Sequence, residues 1–353
     1  MAQNPWRTRS AAYRQSGPGQ QAAPLSRLLS AQRRHLPLPH RSPSGAARTA
    51  RWLLAGLIPA AVGVTTLRKR LGVPPALTLP LASAVPVAVA AITPPSRWRY
   101  IATGSAYMWV FKVSWELPYD DPEKLESRLH VKYPIQVDSL LGGGTPPGLR
   151  LQRALRSPGK VTLLDRVAVV AYGSWLLPHL VMGWVLLHHP RFVPRAAGRL
   201  AAAYHLTTPF YWAVPTAPPW WASEVRGEMD GGVERVLRQV KDDLRRRTCG
   251  EPEKAKEDKE SPGNPWGSMP SDHIASAAIT AIALSEVNAA YGALGWAYVA
   301  LAAFSVVYLG EHYLVDVLAG LLVAEAIRIA EPVVGPVVRR IARDIEGVAA
   351  AAR

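Results

Sequence analysis

Apolar runs alternate with polar ones along the chain, and eight of them stand out, at about 52–66, 76–93, 99–116, 163–188, 195–214, 270–289, 293–310 and 313–331. A bilayer core about 30 Å thick takes about 20 helical residues to cross, and the last five runs reach or approach that length. The pattern predicts an all-α fold: a polytopic transmembrane helix bundle of about six to eight spans. Two early runs are weaker. The first, "WLLAGLIPAAVGVTT", is short and leads into "LRKR", and the third carries Lys112 and Glu116, so either suits an interfacial helix. Residues 1–50 are rich in Arg, Pro, Ser and Gln without apolar periodicity, which reads as a disordered basic tail. Residues 51–335 form the membrane-embedded domain and 336–353 a basic C-terminal tail. Within the domain, 222–262 is dense in both signs of charge. Its "GGVERVLRQVKDDLRRR" suits a solvated or interfacial helix, and the near balance of charge makes a solvated loop the simpler expectation.

Charge orients the bundle. The formal net charge is +15, the first acidic residue is Glu116, and nine arginines fall in the first fifty-one residues. Mean hydropathy is only +0.03 because the polar tails dilute the apolar runs. Such a basic tail is expected on the cytoplasmic side, facing anionic lipid. It lacks aromatic interleaving and any nucleic-acid-binding pattern, so the bilayer and a membrane lipid are the expected partners, with no nucleic acid. Arg191, Arg195 and Arg199, and Arg339, Arg340 and Arg343 after the last run, belong on the same side by the positive-inside rule. Counting spans then gathers the 116–162 connection, the 216–269 loop and the turn near Gly310 on the opposite face. "LRKR" also lands there, against the rule. Cys249 is the sole cysteine, which excludes an intramolecular disulfide and a thiolate zinc cluster. No apolar core follows the first arginines closely enough for a cleaved secretory signal. The Ala-, Arg- and Pro-heavy composition suits a bacterium of high genomic GC content, hence a bacterial plasma membrane.

Two stretches carry candidate chemistry. "MPSDHIASAAITAIAL", from Met269, places His273 where a helix enters an apolar environment, and "VVYLGEHYLVDVLAG", from Val306, does the same with His312. His312 and Asp316 are four apart, so on a helix they share a face and the carboxylate can hold the imidazole in one tautomer. Ionisable groups inside a membrane are expensive and usually mark a site. The span count puts both histidines at one face, where they can meet. Pro270 suits a first helical turn, Ser271 can cap or donate, and the unpaired N–H groups beyond them favour an anion such as phosphate. The set holds a nucleophile or base, its orienter, a second histidine to act as acid, and an anion-binding helix end.

"PSDH" and "EHYLVD" resemble the second and third signature motifs of the type-2 phosphatidic acid phosphatase superfamily. "PTAPPWWASE", from Pro215, is similar to an element of its inositol phosphorylceramide synthase-like branch. The resemblance covers about residues 130–331. It implies that His312 attacks phosphorus to form a phosphohistidine, Asp316 orients it, His273 protonates the departing oxygen, and Ser271 helps hold the phosphoryl oxygens. It implies no metal and no other cofactor. Water in the second step gives a phosphatase; an alcohol such as inositol gives a phosphotransferase. The site is then expected near the extracytoplasmic face.

The chain also departs from that pattern. The superfamily's first motif, with its lysine and arginine, is absent, and Ser305-Val306 stands where a Ser-Arg pair is usual. Arg226, Arg235, Arg238, Lys241 and His205 are the candidates for neutralising phosphate. Trp220 and Trp221 suit either a headgroup pocket or interfacial anchoring. Asp138 suits either a contact to an acceptor hydroxyl or a structural turn, and His179, His188 and His189 read as core or interfacial residues. A two-histidine, one-carboxylate metal site is the alternative for His273, His312 and Asp316, but no closely spaced ligand pair supports it. A non-catalytic transporter or scaffold is the rival from another class, supported by the missing basic residues.

Overall fold

The computed structural model describes residues 45–94, 96–157, 159–229, 232–249 and 264–351. The chain divides into Met1–Arg48 and Thr49–Arg353. Most of the expected disordered tail lies outside the described residues, but its last six residues open helix α1 (Gly45–Thr66). Ala and Arg there favour helix, and no proline follows Pro43 until Pro59. After it come α2 (Pro75–Ile92), α3 (Arg97–Glu116), α4 (Lys132–Leu141), α5 (Pro147–Leu155), α6 (Leu163–Gly173), α7 (Leu177–His188) and α8 (Val193–Ala213). Then follow α9 (Pro219–Glu224), α10 (Val236–Cys249), α11 (Asp272–Val287), α12 (Ala289–Tyr308) and α13 (Leu314–Ala351). The fold is all-α among the described residues, with only isolated β-bridges at Thr216.

Three helical stretches are long and apolar enough to cross a membrane by length and composition: Thr49–Thr66, Pro75–Ile92 and Ala289–Tyr308. That is fewer than the six to eight runs suggested. The run at 163–188 is two helices, because the chain breaks after Gly173. There Ser174 Oγ turns back onto Ala171 O (2.9 Å) and meets Tyr298 OH (3.1 Å). Large apolar side chains remain exposed on the outer helices, among them Trp52, Leu77, Trp184, Leu294 and Leu322, as expected of a surface that faces lipid.

Helix α11 is the hub, packed by α7, α8, α12 and α13. Its residues from Ile274 to Ala281 are all buried, and their small side chains let neighbouring backbones approach closely. One close approach is at Gly320 of α13, where a Cβ would sit 2.5 Å from Ser271 O.

Two charged segments behave otherwise than the pattern suggested. In "LRKR", Arg68 is 6 % exposed and pairs with Asp120 (2.7 Å) and Glu116 (3.5 Å). Lys69 beside it is exposed and also reaches Asp120 (3.5 Å). The 222–262 segment is no solvated loop where it is described. Val233 and Val236 are fully buried, and Val236 and Val240 join Ala168 of α6 in one apolar cluster. At the other end of the bundle, Arg199 is buried and pairs with Glu286 (2.9 Å) and Glu331 (3.5 Å), which Arg195 also contacts.

Candidate functional site

At the head of α11 three connections meet, as the span count expects. His130 and Gly267 each bridge to Thr216, and Trp220 N–H donates to Gly310 O (3.0 Å). The Gln152 amide donates to Tyr308 O (2.8 Å) and Glu234 O (3.0 Å) and accepts from Glu234 N–H (2.9 Å). Gly310 has φ +75° and no room for a Cβ, which would meet Val233 Cγ1 at 2.7 Å; only glycine makes this turn without strain. The turn delivers Glu311 and His312 to the start of α13. Asp138 seats that start, accepting from the N–H groups of Leu314 (3.0 Å) and Val315 (2.8 Å). Its placement is the structural one of the two considered. Burial foremost pushes its carboxyl up to about 6.

His312 is 5 % exposed. Its Nδ1–H donates to Ser268 O at 2.9 Å, while Asp316 Oδ2 lies 3.4 Å from the same nitrogen. Asp316 Oδ2 is in turn held by Ser268 Oγ (2.5 Å) and Tyr313 N–H (2.9 Å). With its proton fixed on Nδ1, the ring keeps its lone pair on Nε2, which faces Ser271 Oγ at 3.4 Å. Burial alone would lower the proton affinity of His312. The hydrogen bond and charge of Asp316, with the charges of Asp272 and Glu311, outweigh burial, so its pKa lies above the ordinary histidine value.

The structure brings His273 to His312: the ring centroids are 5.6 Å apart at 67°. Tyr172 stacks on the far side of His273 at 5.0 Å and Trp175 meets it edge-on at 6.3 Å. Tyr172 closes the last turn of α6 and Trp175 lies in the break that follows, so the interruption of that run shapes the site. Asp272 Oδ1 lies 3.1 Å from His273 Nδ1. Ser271 is the residue before α11, yet its hydroxyl makes no cap. Its N–H donates to Asp316 O (3.0 Å), which joins the two motifs directly.

A cavity of about 290 Å³ opens beside the two imidazoles. Trp220 and Trp221 line it, as do Arg235 and Lys241. Arg226 does not: it pairs with Glu126 (2.9 Å) and lines a separate cavity of about 360 Å³ with His130, Lys132 and Tyr133. Arg238 pairs with Glu224 (3.6 Å), and His205 meets Tyr107 OH at 2.6 Å; neither lines the first cavity. His179 is bound by Tyr204 OH at 2.6 Å, and His188 by its own helix. Ser268, Glu311, Asn264 and Trp115 are lining residues that sequence reasoning missed. Only the nearness of Ser268 to "PSDH" and of Glu311 to His312 hinted at them. Among the described residues no group of three or more His, Cys, Asp or Glu is arranged to hold a metal ion.

A histidine pair with its carboxylate thus sits beside an open cavity at the head of an all-helical, membrane-associated bundle. A sequence model of the PAP2 superfamily matches residues 146–330, just over half of the chain, and the chain belongs to that superfamily. The match includes His273, His312 and Asp316. Membership suggests phosphatase or phosphotransferase chemistry, since members are generally phosphatases. No curated protein matches the chain, and neither does any solved structure.

Proposed function

We propose that this chain is an integral membrane phosphatase acting on a lipid phosphate or diphosphate through a phosphohistidine. The observation that carries this reading is the fixing of His312 Nδ1–H by Ser268 O, which leaves Nε2 as a nucleophile beside a second imidazole and an open cavity. Nε2 attacks phosphorus, the bond to the lipid oxygen breaks, and His273 gives that oxygen a proton. Water then attacks the phosphohistidine, His273 takes up the proton, and phosphate leaves with His312 restored. No metal takes part. The substrate enters from the bilayer.

The opposite end of α11 supports an outward-facing placement. Arg195 and Arg199 sit with Glu286 there, roughly 20 Å from Ser271 at 1.5 Å per residue. By the positive-inside rule that end is cytoplasmic, so the site faces outward from a bacterial plasma membrane, with α3, α6–α7, α8, α11 and α13 completing six to eight spans.

A phosphotransferase of the inositol phosphorylceramide synthase-like branch is the second reading. "PTAPPWW" supports it, and so does a cavity many times the volume of a water molecule, with room for an alcohol. Purified protein incubated in EDTA with phosphatidate and polyprenyl diphosphate, with and without inositol, decides between them. Phosphate release that vanishes in His312→Ala, with membrane insertion intact, is the expected result; a new phosphodiester lipid without phosphate release establishes transfer. Full activity in His312→Ala would sink the assigned nucleophile, and neither product from wild type would point to a transporter or scaffold.

A further inference from the structure

We propose that Arg235 is the cation that neutralises the phosphoryl oxygens in this cavity, with the Asn264 amide as its neutral partner. The proposal rests on the function proposed above for the same site. The basic residues that the superfamily resemblance leads one to expect are missing from this chain, and the cavity wall carries two carboxylates, Asp272 and Glu311. An anion cannot enter such a wall without a compensating cation.

Arg235 is built for that task. Its guanidinium lies over the Trp220 ring, with Cζ 3.9 Å from the ring centre. Its backbone N–H donates to Glu224 Oε1 (2.7 Å), which anchors the residue just before α10 begins. The side chain is 23 % exposed, and its hydrogen bond to Glu311 Oε1 (3.4 Å) runs through Nε. The outer fork of the guanidinium is thereby left for the planar, two-point recognition of phosphate oxygens at which arginine excels. Glu311 adjoins His312, so the same contact ties the cation to the nucleophile.

An independent observation points to the same ligand. Asn264 Nδ2 and Trp220 Nε1 are buried donors with no acceptor among the described residues, and both residues line the cavity. Buried donors are almost always satisfied, and a tetrahedral anion offers acceptors in several directions at once. Asn264 Oδ1 is occupied by Trp266 N–H (3.0 Å), so only its donor end is left over. Lys241, farther along α10, adds a second positive charge to the wall.

Orthovanadate serves as the probe. Its binding is measured by calorimetry on detergent-purified protein, alongside kcat and KM for dioctanoyl phosphatidate. Arg235→Ala is expected to weaken orthovanadate and to lower kcat/KM by about a hundredfold, the usual cost of removing one donor to an oxyanion. Arg235→Lys restores only part, because an ammonium neither stacks nor binds at two points. Asn264→Asp keeps the contact to Trp266 but turns donor into anion, and weakens orthovanadate by about tenfold or more. Arg238→Ala, which removes a guanidinium also near Trp220 but outside the cavity, changes either quantity by less than about twofold. Unchanged orthovanadate affinity in Arg235→Ala overturns the proposal, as does an equal loss in Arg238→Ala or no binding by wild type. Should Arg235→Ala fail to fold, Arg235→Lys and Asn264→Asp decide in its place. Binding that depends on Arg235 without turnover of any lipid phosphate upholds the cradle and overturns the phosphatase reading.

Discussion

The proton affinity of His312 sets the pH at which the site can work. Attack through Nε2 needs the neutral ring, yet Asp316 raises the pKa of His312 against the opposing effect of burial. Activity should therefore fall as pH drops through that raised pKa. In Asp316→Asn the acid limb of the kcat/KM profile should move to lower pH, while the maximal rate drops by about a hundredfold to ten-thousandfold through loss of ring orientation. An acid limb that stays in place would mean that another group titrates there. The stability sign is the reverse of the activity sign: a raised folded-state pKa stabilises the fold below the ordinary histidine value, and that contribution is lost as pH rises through the folded one. At this scale His312 and Asp316 were legible because they stand four apart, and His273 because it heads an apolar run. Ser268 was not, since what distinguishes it from any other serine is that its carbonyl and hydroxyl meet His312 and Asp316 forty-four and forty-eight residues away.

Helices meet the site through their ends, and one glycine lets α13 pass close to the head of α11. A methyl at Gly320 would lie 2.5 Å from Ser271 O and 3.2 Å from Ala275 N. Gly320→Ala should cost about 1–3 kcal/mol by overpacking and should also lower kcat, because the displaced group precedes His273 by two residues. Thermal melting and kcat for the same lipid check both; a variant destabilised but fully active per folded molecule would show that the head of α11 does not depend on this contact. The 222–262 segment teaches the complementary lesson. Its balanced charges suggested solvent, but Val233, Val236 and Val240 form a buried edge, with Arg235 and Lys241 beside it reaching the cavity. Total charge describes a helix poorly when its few apolar residues share one face.

Across the whole molecule, charge separates the two ends of the bundle. Arg199, with 2 % of its side chain exposed, neutralises Glu286 and Glu331 at the end away from the site. Arg199→Leu leaves those carboxylates without their buried partner and should cost about 3–5 kcal/mol. It should nevertheless leave kcat per folded molecule within about twofold, since the site lies roughly 20 Å off along α11. Melting and turnover of the one variant test both halves; a collapse of kcat in a well-folded protein would show that the two ends are coupled. The sequence by itself determined the all-α class, the apolar segments and the shared face of His312 and Asp316, because helical periodicity and i, i+4 spacing are written in neighbouring residues. Tertiary structure alone decided that one long run breaks at Ser174, that Asp138 seats α13, that Arg68 is neutralised from within, and that Arg235 and Lys241 rather than Arg226 reach the cavity. Those outcomes depend on which distant backbone or carboxylate arrives at the same point, and no local pattern records that.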